Sequence, residues 1–428
     1  MWLYGAQLVL EDDIKSGAVH IDASSGVITS VLFGDFETSP DGSPGIHCEN
    51  GYLSPGFCDI QFNGALGVDF SSPSVSEADV DRLQLWLPST GVTSFLPTLI
   101  SSSPSTYRTV IPIFRKLHGK KTPGGRARIL GLHLEGPFMS PSKKGAHCEG
   151  HLASPGGLEQ LLSHYSLTPC DIAVKLLRVV TLAPELEGSL QTIHELASSG
   201  VLPSLGHTAT NFAGAVKGLD NGALLITHLF NAMNPLTHRE PGMVGLLGLA
   251  NPPFFSLIAD GGVHLHPAVL ALAFKAAPHR AILVTDAMTA TGLPAGSYSY
   301  GDLAVTVFTD EAHGAYPSRH VVLTGGTTLA GSVATMDMCL ATLAKAVCVG
   351  ESAVNVTQRK SCHPFLHQIF STVTQNPLEA LRAISKGDGC DLRTLGAIGV
   401  GKAADLTLIS RDWKVMKTWV AGKMAYPL

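Results

Sequence analysis

The sequence predicts an α/β fold, a (β/α)8 TIM-like barrel with a small β-sandwich built from both chain termini, and three observations predict it. Eight apolar or β-branched runs alternate with helix-length amphipathic segments through the middle of the chain. That is the pattern of parallel strands joined by right-handed crossovers, and closing eight of them leaves no sheet edge exposed. Short alternating runs punctuated by turn residues occupy both ends. Of 428 residues, 45% are hydrophobic, only 15% are charged and 45 are glycine, so a large core cut by many tight turns is expected and disorder is excluded.

In chain order, residues 1–54 form the N-terminal part of the sandwich, with strands at 6–10, 18–21 and 27–33. Residues 55–375 form the barrel. Its strands are expected at 57–61, 92–98, 129–135, 174–183, 202–207, 224–229, 254–260 and 281–286, and its helices at 75–86, 106–117, 158–164, 190–198, 213–219, 267–277 and 332–349. Residues 291–331 are too long for a simple loop and hold the alternating run Leu303–Phe308 and the turn Gly325-Gly326-Thr327, so a hairpin inserted after the eighth strand is expected. Residues 376–428 carry a final helix and the C-terminal part of the sandwich, with strands at 404–410 and 415–420 that pair with the N-terminal ones.

A net charge of −5 and a pI near 6.4, without Lys/Arg blocks, remove the footprint of a nucleic-acid binder. The eight cysteines show no zinc-knuckle spacing and read as reduced thiols. No apolar run reaches the ~18 residues of a membrane span, and the N-terminus lacks a basic leader. The expectation is a soluble, cytoplasmic protein with a small-molecule substrate.

Four of the runs end in a residue able to do chemistry. Gly131-Leu132-His133-Leu134-Glu135 ends in Glu135, Ser204-Leu205-Gly206-His207 in His207, Leu225-Ile226-Thr227-His228 in His228, and Ile282-Leu283-Val284-Thr285-Asp286 in Asp286. Singly, each has an ordinary reading as a hydrogen-bonded packing residue or, for Asp286, a cap on the turn before Met288. Four at the C-terminal rim of one barrel are hard to obtain from packing alone. Two imidazoles and a carboxylate suit zinc and related ions, and a catalytic site keeps about three protein ligands with water in the open position. Glu135, His207 and His228 supply that set. Asp286 is left as the general base, so the chemistry expected is hydrolysis by metal-activated water.

Longer motifs surround these residues. Leu53-Ser54-Pro55-Gly56-Phe57-Cys58-Asp59-Ile60-Gln61-Phe62-Asn63-Gly64 opens the barrel. Lys144-Gly145-Ala146-His147 follows the third strand, and Thr227-His228-Leu229-Phe230-Asn231-Ala232-Met233 is followed by Arg239-Glu240-Pro241-Gly242. Ile258-Ala259-Asp260-Gly261, Thr328-Leu329-Ala330-Gly331-Ser332 and Gly399-Val400-Gly401-Lys402-Ala403-Ala404-Asp405-Leu406 complete the series. Over nearly the whole chain these resemble the amidohydrolase superfamily and, within it, the N-acetylglucosamine-6-phosphate deacetylases. Most of the superfamily carries His-x-His where this chain has Gln61 and Asn63. An amide is a poor ligand for a second transition ion, so one divalent metal per subunit is expected, zinc first, with iron, cobalt or manganese suiting the same donors.

The resemblance implies further roles. Asn231, the backbone of Ala232 and Arg239 would meet a phosphate, with Arg239 reaching the neighbouring subunit of a homodimer. Ala146 and His147 would line the sugar site, His264 would be a substrate histidine, and Leu329, Ala330 and Gly331 would wall the acetyl group. The family spaces its seventh-strand motif Asp-Gly-x-His, whereas Asp260-Gly261-Gly262-Val263-His264 has one residue more. His264 and His266 both remain open for that role, with His264 favoured. The implied activity is hydrolysis of the acetamide of N-acetyl-D-glucosamine 6-phosphate, with Asp286 passing the water's proton to the amine. The alternatives are a related amidohydrolase acting on a cyclic amide or an unphosphorylated N-acetyl sugar, and a catalytically silent scaffold.

Overall fold

Burial on both faces explains why the barrel strands read as unbroken apolar runs. Phe57–Phe62 and Val92–Ile100 are buried at every position, because helices cover the outside while side chains from the other strands fill the inside. The computed structural model describes residues 1–118, 120, 124–309, 319–348, 365–385 and 392–427. Residues 310–318 of the expected insertion, Val349 of the last barrel helix, the Cys348 side chain, Cys362 and Cys390 lie outside the described residues.

The expected barrel is present. Its parallel strands follow chain order: Phe57–Phe62, Val92–Ile100, Leu132–Glu135 with the short Arg128–Ile129 before it, Leu177–Leu182, Leu202–Leu205, Leu225–Ile226, Phe254–Ile258 and Ala281–Val284. At the C-terminal rim the eighth meets the first through a Phe62–Ala287 bridge and a 2.9 Å bond from the Asp286 N–H to the Gln61 carbonyl. Lower in that seam, the Leu283 and Cys58 N–H groups donate to the Thr372 and Val373 carbonyls at 2.9 and 2.7 Å, so residues 372–373 fill the gap. Leu96, Val179, Leu202, Leu225 and Ile282 form one cluster with Leu378 and Leu381 of the helix Gln375–Ile384. Each such burial contributes roughly 1.5–3 kcal/mol.

Three expectations need correction. The fourth strand begins at Leu177 rather than 174, because Thr168 and Asp171 build a capping box and start the short helix Pro169–Ala173. The insertion is a three-stranded antiparallel sheet, Gly296–Tyr300, Leu303–Phe308 and His320–Leu323, rather than a hairpin. The sandwich strands form one continuous eight-stranded sheet in which Tyr52–Pro55 joins the N-terminal strands to Leu406–Ile409, Val415–Val420 and Lys423–Tyr426. That sheet curls back through a Val27–Ala403 bridge around a core containing Leu3, Leu8, Leu53 and Trp419. Among the described residues, no helix is long and apolar enough to cross a membrane.

Candidate metal centre and active site

The strands deliver their end residues to the barrel mouth by a shared device. Glu135 is the last residue of its strand, whereas His207, His228 and Asp286 each lie two residues beyond theirs, with left-handed backbones at φ 49°, 30° and 48°. Non-glycine residues hold that conformation only where the surroundings over-determine it, and such strain gathers at functional sites. Gly206 permits the close packing here. A Cβ on it would lie 2.8 Å from Thr227 Cβ and 2.9 Å from Thr181 Cγ2.

Among the described residues, Glu135, His207 and His228 are the group able to hold a metal ion, with ligand atoms all within 4.8 Å of one another. His228 Nε2 lies 3.0 Å from Glu135 Oε1 and 3.0 Å from His207 Nε2. The His207 Nδ1–H donates to the Lys143 carbonyl at 2.9 Å, which leaves the Nε2 lone pair facing the centre. His228 Nδ1 is buried without a partner among the described residues. Two imidazoles and a carboxylate oxygen, all buried and converging at the barrel mouth, fit a divalent cation. Burial pushes the Glu135 carboxyl up, but the two histidines beside it outweigh that and hold the group well below the usual carboxylate range. His228 goes the other way, its burial outweighed by the Glu135 carboxylate, so its affinity for a proton rises.

Asp286 sits beside this centre without being part of it. Gln61 Nε2 donates to Glu135 Oε1 at 2.8 Å and to Asp286 Oδ1 at 3.3 Å, and Asn63 Nδ2 donates to Asp286 Oδ1 at 2.7 Å. The two first-strand amides therefore use their N–H groups to hold carboxylates. Burial first, and the Glu135 charge second, push the Asp286 carboxyl up to about 7.

His147 lies at the centre, its ring 4.7 Å from that of His207. Its Nδ1 accepts from the Ser101 N–H at 3.3 Å, so the proton sits on Nε2, and burial followed by the His207 charge lowers it to about 3. His264 Nδ1 donates to Asp260 Oδ2 at 2.6 Å, and the extra residue is taken up by Gly261 and Gly262 at φ 83° and 100°. His266 instead caps the helix Pro267–Ala276 by accepting from the Ala268 N–H. Gly331 and Ser332 pack on the Asp286 backbone, with the Ser332 N–H donating to its carbonyl at 2.7 Å, while Ala330 shares a buried cluster with Ala146 and Met288 and Leu329 bridges to Val322. Ala146 is buried, Asn231 and Ala232 lie in the turn after His228, and Arg239 is exposed on the following loop, outside the cluster.

Two supports carried no role in the sequence reading. His133 Nδ1–H donates to the Ile60 carbonyl, and its Nε2 accepts from Thr181 in a buried chain that continues through Thr227 to Ser204, with links of 2.8, 2.8 and 2.5 Å. Asp59 accepts from Thr285 Oγ1 at 2.6 Å and from the Gln61 N–H at 3.2 Å, tying the first strand to the residue before Asp286. The only signal for either was a polar residue inside an apolar run.

A nearly closed eight-stranded barrel with a Glu-His-His centre and a buried aspartate at its C-terminal rim is an amidohydrolase-type barrel. No protein-family model matches the chain. The N-acetylglucosamine-6-phosphate deacetylase of Danio rerio is 37% identical over 390 residues, covering 89% of this chain and 86% of that one. The N-acetylgalactosamine-6-phosphate deacetylase of Escherichia coli O157:H7 is 32% identical, with 87% of each chain covered. A mutant N-acetyl-D-glucosamine-6-phosphate deacetylase of Mycobacterium smegmatis, solved with N-acetyl-D-glucosamine-6-phosphate, superposes with a TM-score of 0.81 at 26% identity over 99% of both chains. The chain belongs to the N-acetylglucosamine-6-phosphate deacetylase family.

Proposed function

We propose that the protein hydrolyses the acetamide of N-acetyl-D-glucosamine 6-phosphate to D-glucosamine 6-phosphate and acetate, in amino-sugar catabolism or recycling. The observation that carries this reading is the buried convergence of Glu135, His207 and His228, with Asp286 joined to Glu135 through the Gln61 amide. One divalent ion held by those three ligands, zinc first among iron, cobalt and manganese, would supply Lewis acidity toward the amide carbonyl and toward water. Both amide donors bind Asp286 through Oδ1, so Oδ2 is the oxygen that takes the attacking water's proton. The same proton then goes to the sugar nitrogen as the carbon–nitrogen bond breaks, because an unprotonated amine anion leaves too slowly. The His147 Nε2–H is a donor for the developing oxyanion. Ala330 and its neighbours Leu329 and Gly331 bound the acetyl side, His264 meets the sugar, and Ala146 closes the pocket beside His147.

Asn231, the Ala232 amide and Arg239 are read as phosphate contacts, with Arg239 acting across a homodimer. Its exposure and the 55% exposed Leu236 nearby support an outward role. Mixing Asp286→Asn and Arg239→Ala subunits tests this, since a dimer sharing arginines regains activity and a self-contained subunit does not. Cytoplasmic location is supported by the free thiols of Cys48, Cys58, Cys148, Cys170 and Cys339.

The deciding experiment measures acetate release from N-acetylglucosamine 6-phosphate, its galactosamine epimer and plain N-acetylglucosamine, beside metal analysis. Preference for the glucosamine phosphate supports the reading. A metal-free, inactive protein would point to the scaffold alternative instead.

A further inference from the structure

The inserted three-stranded sheet carries a side chain that the mechanism above does not use. Tyr300 ends the first of its strands and is only 4% exposed. The turn that follows is fastened to the loops after the first and third barrel strands. The Gly301 N–H donates to the buried Asp69 carboxylate at 2.7 Å, whose other oxygen accepts from the Ser71 N–H at 2.8 Å, and Asp302 pairs with His151 Nε2 at 2.8 Å. Those bonds fix where the phenol ring lies.

The ring belongs to one buried cluster with Ile100, Ala146, Met288 and Ala330, which puts it at the acyl end of the pocket, where Ala330 and Ala146 are read as walls. Its hydroxyl makes no hydrogen bond among the described residues. The oxygen is not sealed off as the Nε1 atoms of Trp2 and Trp419 are, so it borders open space. Burial first, and then the charges of Asp286, Glu135 and Asp69, push the phenol well above its usual range, so it keeps its proton and serves as a donor. A substrate that covered this hydroxyl without bonding to it would strand a buried polar group, at a cost in free energy. Of the acetyl group's atoms only the carbonyl oxygen can accept, and that oxygen becomes the oxyanion when water attacks.

We propose that Tyr300 is a further catalytic residue, whose hydroxyl donates a hydrogen bond to the acyl oxygen of the bound amide and a stronger one to the oxyanion formed there. The inference rests on the deacetylase reading above and adds a second donor to the His147 Nε2–H. A donor fixed in place before the reaction favours the charged intermediate over the neutral carbonyl, because the bond strengthens as charge grows and nothing has to reorient. The phenol keeps its proton throughout, so Asp286 remains the group that moves one.

The test compares wild type with Tyr300→Phe. It measures kcat and KM for N-acetylglucosamine 6-phosphate, the Kd of a phosphonamide analogue whose tetrahedral phosphorus and anionic oxygen replace the acetamide carbonyl, and the Kd of the product D-glucosamine 6-phosphate. Loss of the hydroxyl is expected to lower kcat on the order of 100-fold while KM stays within about twofold. The analogue weakens by a similar factor, whereas the product, which has no acyl oxygen, binds as it does to wild type. A kcat within about twofold of wild type overturns the proposal. Equal weakening of analogue and product also overturns it, because that marks a merely structural role. A wild-type enzyme that releases no acetate overturns the deacetylase reading itself, before the variant is compared.

Discussion

Asn63 Nδ2 donates to Asp286 Oδ1 at 2.7 Å, across the seam where the eighth barrel strand meets the first. The bond selects one carboxylate oxygen. Gln61 donates to the same atom, so neither amide binds Oδ2. In the proposed mechanism, the two first-strand amides thus act on the base.

Removing the Asn63 donor should move the acid limb of activity. A base works only when ionised, so kcat/KM falls as pH drops through the Asp286 pKa. Burial and Glu135 push that carboxyl up to about 7, and a bound cation would bring it lower. Asn63→Leu takes away stabilisation of the ionised form, so the limb should shift to higher pH by about one unit. A pH–rate profile identical to wild type would sink the assignment.

Asp286→Asn keeps the shape and loses the proton acceptor. Metal content and substrate affinity should stay within about twofold while kcat drops ~100-fold to 10,000-fold. Near-normal turnover in that variant would mean another group moves the proton.

Asp59 makes stability depend on pH. Burial raises its carboxyl to about 7 against the hydrogen bonds from Thr285 and Gln61. A raised folded pKa means the native chain keeps a proton that the unfolded chain releases, so this contribution is present at low pH and is lost as pH rises through 7. Asp59→Asn cannot titrate, so relative to wild type it should gain about 2–4 kcal/mol between pH 4 and pH 8. Urea midpoints at several pH values measure the difference, and a constant offset would refute it.

Chelation should abolish activity and lower the melting temperature together. Glu135, His207 and His228 lie within 4.8 Å of one another, and a ligand at 100 times its Kd stabilises by about 2.7 kcal/mol. Adding back one equivalent of a divalent ion should restore both, whereas a requirement for two equivalents would contradict the single-metal reading of Gln61 and Asn63.

Much of this protein was legible as a string of residues. A strand buried on both faces must be apolar throughout, and the polar residue that ends it must lie at a rim, so Glu135, His207, His228 and Asp286 stood out before any coordinates. The short strand His320–Leu323 and the capped helix Pro169–Ala173 are harder to read, because four or five residues carry little periodicity and one Thr168–Asp171 capping pair is a weak signal. The left-handed backbones of His207, His228 and Asp286 were invisible, since local preference assigns that conformation to glycine. So were the contacts that make the site work. Asn63 and Asp286 are 223 residues apart, Gln61 and Glu135 are 74 apart, and only closure of the barrel brings them within hydrogen-bond range. Hydrophobic pattern is a property of a few neighbouring residues, whereas which carboxylate oxygen stays free depends on strands from both ends of the barrel meeting at one seam.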